Sequence, residues 1–188
     1  DTPEVIAAIE RIKSELGDPS LETPEGQLFV AYQEALQRNG RVDFHDLLRY
    51  AVDGMKRGTI APYKFDALLL DEYQDVDPHQ ALWTALHART GAITTLVADD
   101  DQAIYGFRSA LGLRGMVNFA REFDARQIVL GINYRSHSEI LSVADKVIRN
   151  NRERIVKELV SNRGAGGTVD FARYDDEYKE AISAMEAM

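Results

Sequence analysis

Phe65-Asp66-Ala67-Leu68-Leu69-Leu70-Asp71-Glu72-Tyr73-Gln74-Asp75 is the stretch that decides the fold. Apolar residues run almost unbroken from Phe65 to Leu70 and stop at two acids. A run this short and continuous predicts a buried strand of a parallel sheet. Ala92 to Ala98 repeats the pattern and ends in Asp99-Asp100-Asp101-Gln102. A third run near Gln127 to Gly131 leads into Asn133-Tyr134-Arg135. Helical spacing separates these runs, from Pro78 to about Arg89 and from near Leu113 to Phe123. Ser136 to about Arg149 follows as a further helix, with Ile140, Leu141, Val143, Ala144, Val147 and Ile148 on one face. Strands alternating with helices predict an α/β parallel sheet with helices on both faces. Ligands of such sheets bind beyond the carboxyl ends of the strands, and here all three strands end in polar clusters.

Upstream the texture is helical. Val5, Ile6, Ile9, Ile12 and Leu16 fall near helical spacing, with Gly17 as the stop. Thr23-Pro24 reads as a cap followed by a first-turn proline. Leu28, Phe29, Tyr32 and Leu36 continue a second helix to Asn39-Gly40, and a third runs from about Asp43 to Met55. Downstream, Asn162-Arg163-Gly164-Ala165-Gly166-Gly167 reads as a linker, then Thr168 to Tyr174 as a strand and Asp175 to Met188 as a helix.

Composition narrows the function classes. Of the 188 residues, 45% are hydrophobic, enough for a packed core. The absence of cysteine rules out disulfides and thiolate metal sites and fits a reducing, cytoplasmic setting. No apolar run is long enough to span a membrane. The chain opens on Asp1 rather than Met, from which an excised part of a longer protein is expected. The net charge of −9 argues against tight electrostatic binding of nucleic acid by this chain alone, although its arginines can still form a local strip.

Each polar cluster has a chemical and a bland reading. Asp71-Glu72 suits metal-assisted phosphoryl transfer, the Asp holding Mg²⁺ and the Glu taking a proton from water. Equally, it suits a solvated strand end capping the next helix. Asp99-Asp100-Asp101 can bind a divalent metal or form a solvated turn. Tyr105, Phe107 and Arg108 just after it suit base stacking on single-stranded nucleic acid, or ordinary packing. Arg135 can neutralise a transferred phosphoryl group or simply lie on the surface. His45, His79, His87 and His137 form no metal-ligand spacing. The acidic clusters lack the lysine and the spaced acids that a Mg²⁺ nuclease would want.

Taken together, the clusters resemble one family. Asp71-Glu72-Tyr73-Gln74-Asp75 is similar to the Walker B element of UvrD, Rep and PcrA helicases of superfamily 1. Asp99 to Ala110 resembles their third motif, with Ala98 where the family usually has Gly. Asn133-Tyr134-Arg135-Ser136 resembles their fourth, and Asp43-Phe44-His45-Asp46-Leu47-Leu48 the short element before Walker B. Order and spacing agree from about residue 1 to 174. The resemblance implies ATP and Mg²⁺ as cofactors, single-stranded DNA as partner and helicase activity. It assigns Asp71 to Mg²⁺, Glu72 to water activation, Gln102 to the γ-phosphate, Tyr134 to adenine and Arg135 to an arginine finger. It places Tyr105, Phe107 and Arg108 against DNA, and Gln74 between the nucleotide and DNA sites.

The resemblance also implies a divided chain. Residues 1–40 would close an accessory helical subdomain, 41–161 would form part of a RecA-like motor domain, and 162–188 would link into a second one. No Gly-x-x-x-x-Gly-Lys-Ser/Thr occurs, and the dipeptide Gly-Lys is absent. The chain alone therefore cannot cradle the β- and γ-phosphates, and the RecA-like (P-loop NTPase) sheet is expected to be incomplete. By resemblance, the P-loop strand would lie between the strands ending at Ala98 and Gly131. Open edges there predict an edge-to-edge dimer, a rearranged sheet, or an N-terminal P-loop segment supplied by a second polypeptide. A module that binds DNA or a partner without hydrolysis is the alternative.

Overall fold

The computed structural model describes residues 2–16 and 19–186. Three helices lead: α1 (Thr2–Ser14), α2 (Pro24–Arg38) and α3 (Phe44–Lys56). The expected stop at Gly17 lies outside the described residues. Thr23 caps α2 by accepting the Gly26 N–H at 3.1 Å, with Pro24 in the first turn. Asp43 and Asp46 form a reciprocal capping box on α3.

Then come β1 (Ala67–Leu70), α4 (Pro78–Ala88), β2 (Ile93–Leu96) and α5 (Gly112–Glu122). Asp77 opens α4 with a second capping box, closed by Gln80. The strands β1 and β2 pair in parallel, Ala67 opposite Ile93 and Leu70 opposite Leu96. On one sheet face Leu70 and Leu96 meet α4 and α5 in a core of Tyr73, Ala88 and Phe119, joined by Val76, Ala81, Ala98, Met116 and Phe123. The Tyr73 and Phe119 rings meet edge to face at 5.9 Å.

The remaining elements are β3 (Ile132–Asn133), α6 (Ser138–Ile148), β4 (Val160–Ser161) and α7 (Glu177–Glu186). β3 and β4 form a second parallel pair, Ile132 opposite Val160. Two compact units result: residues 1–127 with 153–155, and residues 128–152 with 156–188.

Three expectations are corrected. Helices cover only one face of the β1–β2 sheet among the described residues: Leu69 and Ile93, on the other face, are each 76% exposed. The apolar run signals surface suited to burial on both faces, but packing groups are present for one. The run from Gln127 to Gly131 forms no ladder, and the strand there is only Ile132–Asn133. Thr168 to Tyr174 is likewise without strand structure. A strand exists only when a neighbouring backbone completes its hydrogen bonds, and neither segment has one over its expected length.

The helical part is fastened by a buried polar knot. Lys13, 2% exposed, donates to Asp43 Oδ2 at 2.5 Å and Asp46 Oδ1 at 2.7 Å. Tyr32 donates its hydroxyl to Asp43 at 3.0 Å, and Gln33 its amide to Asp46 at 3.0 Å. Burial pushes the Asp43 carboxyl up, but the Lys13 ammonium, the Asp46 N–H and Tyr32 outweigh it and hold Asp43 below its ordinary value. That depressed carboxyl contributes stability above about pH 4, lost as pH falls through its folded value. Removing the ammonium strands two carboxylates, one of them fully buried. Lys13→Ala should therefore cost about 3–5 kcal/mol, read from urea unfolding at pH 7; a loss under 1 kcal/mol would show the knot to be dispensable.

Candidate functional site

The carboxyl ends of β1 and β2 come together because backbone bonds continue past the last paired residues. Val97 donates to Leu70 O at 2.8 Å and Tyr73 donates to Val97 O at 3.0 Å. Glu72 adopts the left-handed region, φ 52° and ψ 39°. That turn sends Tyr73 into the core while leaving the Asp71 and Glu72 carboxylates exposed. Asp71 Oδ1 accepts the Glu72 N–H at 2.9 Å. Burial, reinforced by the charge of Glu122, pushes the Tyr73 hydroxyl up to about 12, so it serves as packing rather than as an acid or base.

Gln74, 1% exposed, ties the two strand ends together. Its Nε2 donates to Glu72 Oε2 at 2.7 Å, and its Oε1 accepts the Asp99 N–H at 3.0 Å. Asp99 Oδ2 accepts from Gln102 Nε2 at 2.7 Å, and Oδ1 accepts the Asp101 N–H at 3.1 Å. A single hydrogen-bonded line thus runs Glu72–Gln74–Asp99–Gln102. Sequence reasoning offered Asp99 only as one of three acids able to bind a divalent metal, not as the acceptor that joins Gln74 to Gln102. Carboxylate oxygens of Asp99, Asp100 and Asp101 lie within 4.8 Å of one another. Protein donors already engage them: Asp100 accepts the Ile155 N–H at 2.6 Å, and Asp101 pairs with Arg154 at 2.8 Å.

Beyond Gln102 the chain makes a 3₁₀ turn over Gly106–Arg108. The Tyr105 and Phe107 rings stand 6.0 Å apart, 38% and 74% exposed. In the second unit, Asn133 Oδ1 accepts the N–H groups of Arg135 and Ser136 at 3.0 and 2.8 Å. This side-chain turn presents Tyr134, 69% exposed, and Arg135 on the surface. The Arg135 carbonyl accepts from Arg163 Nη1 at 3.0 Å.

The family-model comparison decides the family. Residues 5–124 match the UvrD/REP helicase N-terminal domain. The chain belongs to the UvrD/Rep helicase family. It is similar to ATP-dependent DNA helicase PcrA of Leuconostoc citreum, 34% identical over 169 residues, covering 87% of this chain and 22% of that protein. DNA helicase II of Escherichia coli is 36% identical over 170 residues, 88% of this chain and 23% of the helicase. PcrA of Staphylococcus epidermidis is 32% identical over 190 aligned residues, 94% and 26%. The chain spans about a quarter of the length of these relatives. No described helix is long and apolar enough to cross a membrane.

Within this UvrD/Rep-family chain, Glu139 was missed by sequence reasoning. It sits in the first turn of α6 and accepts the N–H groups of Gly166 and Gly167 at 3.1 Å each. Its own backbone N–H, then those of Gly166 and Gly167, hold its carboxyl down at about 2. A folded value below the unfolded one means the clip is intact at neutral pH and is lost as pH falls towards 2. The Gly166 and Gly167 amide shifts should therefore titrate together near pH 2, and this titration should vanish in Glu139→Gln; amide shifts flat over that range would refute the clip.

Proposed function

We propose that this chain is part of an ATP-dependent DNA helicase, its β1–β2 layer a portion of a RecA-like motor domain. The observation that carries the reading is the line Glu72–Gln74–Asp99–Gln102 at the ends of two parallel strands. It links the carboxylate suited to activating water to the amide suited to sensing the γ-phosphate, through a side chain with no freedom to leave. The proposed division is residues 1–40 as the end of an accessory subdomain, 41–161 as the motor part, and 162–188 as the start of a second RecA-like domain.

The donor set suits Mg²⁺. Asp71 is exposed at a strand end, one oxygen fixed by a backbone N–H and the other without a protein hydrogen bond among the described residues. Bound there, a divalent ion would offset phosphate charge. Glu72 then orients and deprotonates water, and Gln102 reports the terminal phosphate to Gln74. Tyr134 stacks on adenine and Arg135 offsets charge developing on the transferred group. Tyr105, Phe107 and Arg108 contact single-stranded DNA. The second edge of β2 and the face bearing Leu69 and Ile93 accept a further α/β segment that carries the phosphate cradle.

The 188-residue chain alone should show no ATPase turnover with single-stranded DNA, having no Gly-Lys to hold phosphate. Mixed with a separately expressed P-loop segment of the same family, it should turn over. Glu72→Gln should then lower kcat by about 10²–10⁴, and Arg135→Ala should abolish activity. Silence in a mixture shown to associate would favour a binding module without hydrolysis. Phe107→Ala should weaken DNA binding in that mixture by about 1–3 kcal/mol, measured by fluorescence anisotropy; unchanged affinity would remove Phe107 from the DNA face.

A further inference from the structure

Residues 153–155 belong to the first unit, whereas the chain on either side belongs to the second. Three residues that leave their neighbours for another body need a reason, and the contacts supply one. Arg154 pairs with Asp101 Oδ2 at 2.8 Å, the two side chains 14% and 9% exposed. The next residue, Ile155, donates its N–H to Asp100 Oδ2 at 2.6 Å. Adjacent groups of one segment thus grip adjacent carboxylates of the acidic turn.

That turn is the one from which Gln102 is hung. Asp100–Gln102 is a single 3₁₀ turn, with Asp99 before it accepting from both the Asp101 N–H and the Gln102 side chain. Residue 102 is exposed, and the hydrogen bond that orients its side chain runs to Asp99 at the start of the turn. A turn carrying three consecutive carboxylates whose oxygens lie within 4.8 Å repels itself. Two of those carboxylates are quieted from outside, one by a guanidinium and one by a peptide N–H. The guanidinium carries a full positive charge, and its pair with Asp101 is largely shielded from water, where screening is weak.

We propose that Arg154 is a positioning residue for Gln102: by clamping Asp101 it fixes the Asp99–Gln102 turn, and so the amide that faces the nucleotide. The inference takes its functional meaning from the reading of Gln102 as a phosphate sensor; the clamp itself requires no nucleotide. Neutralising Arg154 removes the positive charge held against Asp101 and with it the clamp, and the turn shifts. Gln102 then loses its fixed acceptor on Asp99.

The test is made on the whole chain without nucleotide, by NMR of ¹⁵N-labelled glutamine side chains, with Gln102 assigned through Gln102→Asn. In Arg154→Gln the Gln102 side-chain amide should shift and lose its protection from water exchange. Arg154→Lys, which keeps the charge, should restore most of both. Gln33, whose amide is bonded to Asp46 in the helical part of the same unit, serves as an internal control and should move in neither. A folded Arg154→Gln chain with an unmoved Gln102 overturns the proposal. So does a Gln33 that moves with Gln102, or a chain unfolded in both variants, because Arg154 would then be a general support of the fold. Because no ATP is present, failure here is separate from failure of the ATPase reading, which Glu72→Gln tests.

Discussion

The site depends on one buried primary amide. Gln74 has a donor end and an acceptor end, and at 1% exposure water can satisfy neither. An unpaired buried polar group costs about 1–3 kcal/mol, so the native arrangement must bring an acceptor to one end and a donor to the other. Glu72 and Asp99 meet that demand from the ends of two different strands. The level register of β1 and β2, Leu70 against Leu96, places them within reach. The left-handed turn at Glu72 is the cost: non-glycine residues there carry strain of about 1–3 kcal/mol. The strain is offset by Tyr73, which the same turn delivers into the core.

Two different physical devices hold this unit. At the line, Tyr73, Phe119, Leu70 and Leu96 form an apolar floor whose stabilisation grows with area and is indifferent to direction. Among the leading helices, the Lys13 knot is directional. A buried ion pair is a poor source of net stability but a strong selector of arrangement, since any shift of α1 or α3 strands a charge. The floor holds the strand ends down, and the knot fixes which helical arrangement accompanies them.

The sequence made the polar strand ends legible because their residue types are unusual for the places they occupy. Asp71 and Glu72 end an apolar run and Gln102 follows an acidic triplet, and the structure puts Glu72, Gln74 and Gln102 on one hydrogen-bonded line through Asp99. The cap at Thr23 was equally open to reading, because capping is local chemistry. What covers an apolar run was not legible. Leu69, Ile93 and Leu130 have the composition of buried strand residues and are 76%, 76% and 78% exposed. A pattern states what surface favours burial, not whether the burying partner is present. Arg154 was beyond sequence reasoning for another reason: Asp101 lies 53 positions away, and one arginine among many carries no mark of its partner.

Charge gives the proposed site its asymmetry. Asp71, Glu72, Asp99, Asp100 and Asp101 crowd two adjacent strand ends, in a chain of net charge −9. A polyphosphate approaching that surface meets repulsion unless cations intervene. On the proposed reading Arg135 is the cation for the terminal phosphate, and Arg154 is already committed to Asp101. The chain, on that proposed reading, carries the half of a phosphoryl-transfer site that moves protons and senses phosphate. The half that attracts phosphate, backbone N–H groups and a lysine, requires a different loop. Separation of these two halves on different strands is physically sensible, because acids that must stay ionised and amides that must stay open to an anion are best served by different surroundings. On the proposed reading, nucleotide is what joins them, and the Gln74 line is how the acidic half registers that it has arrived.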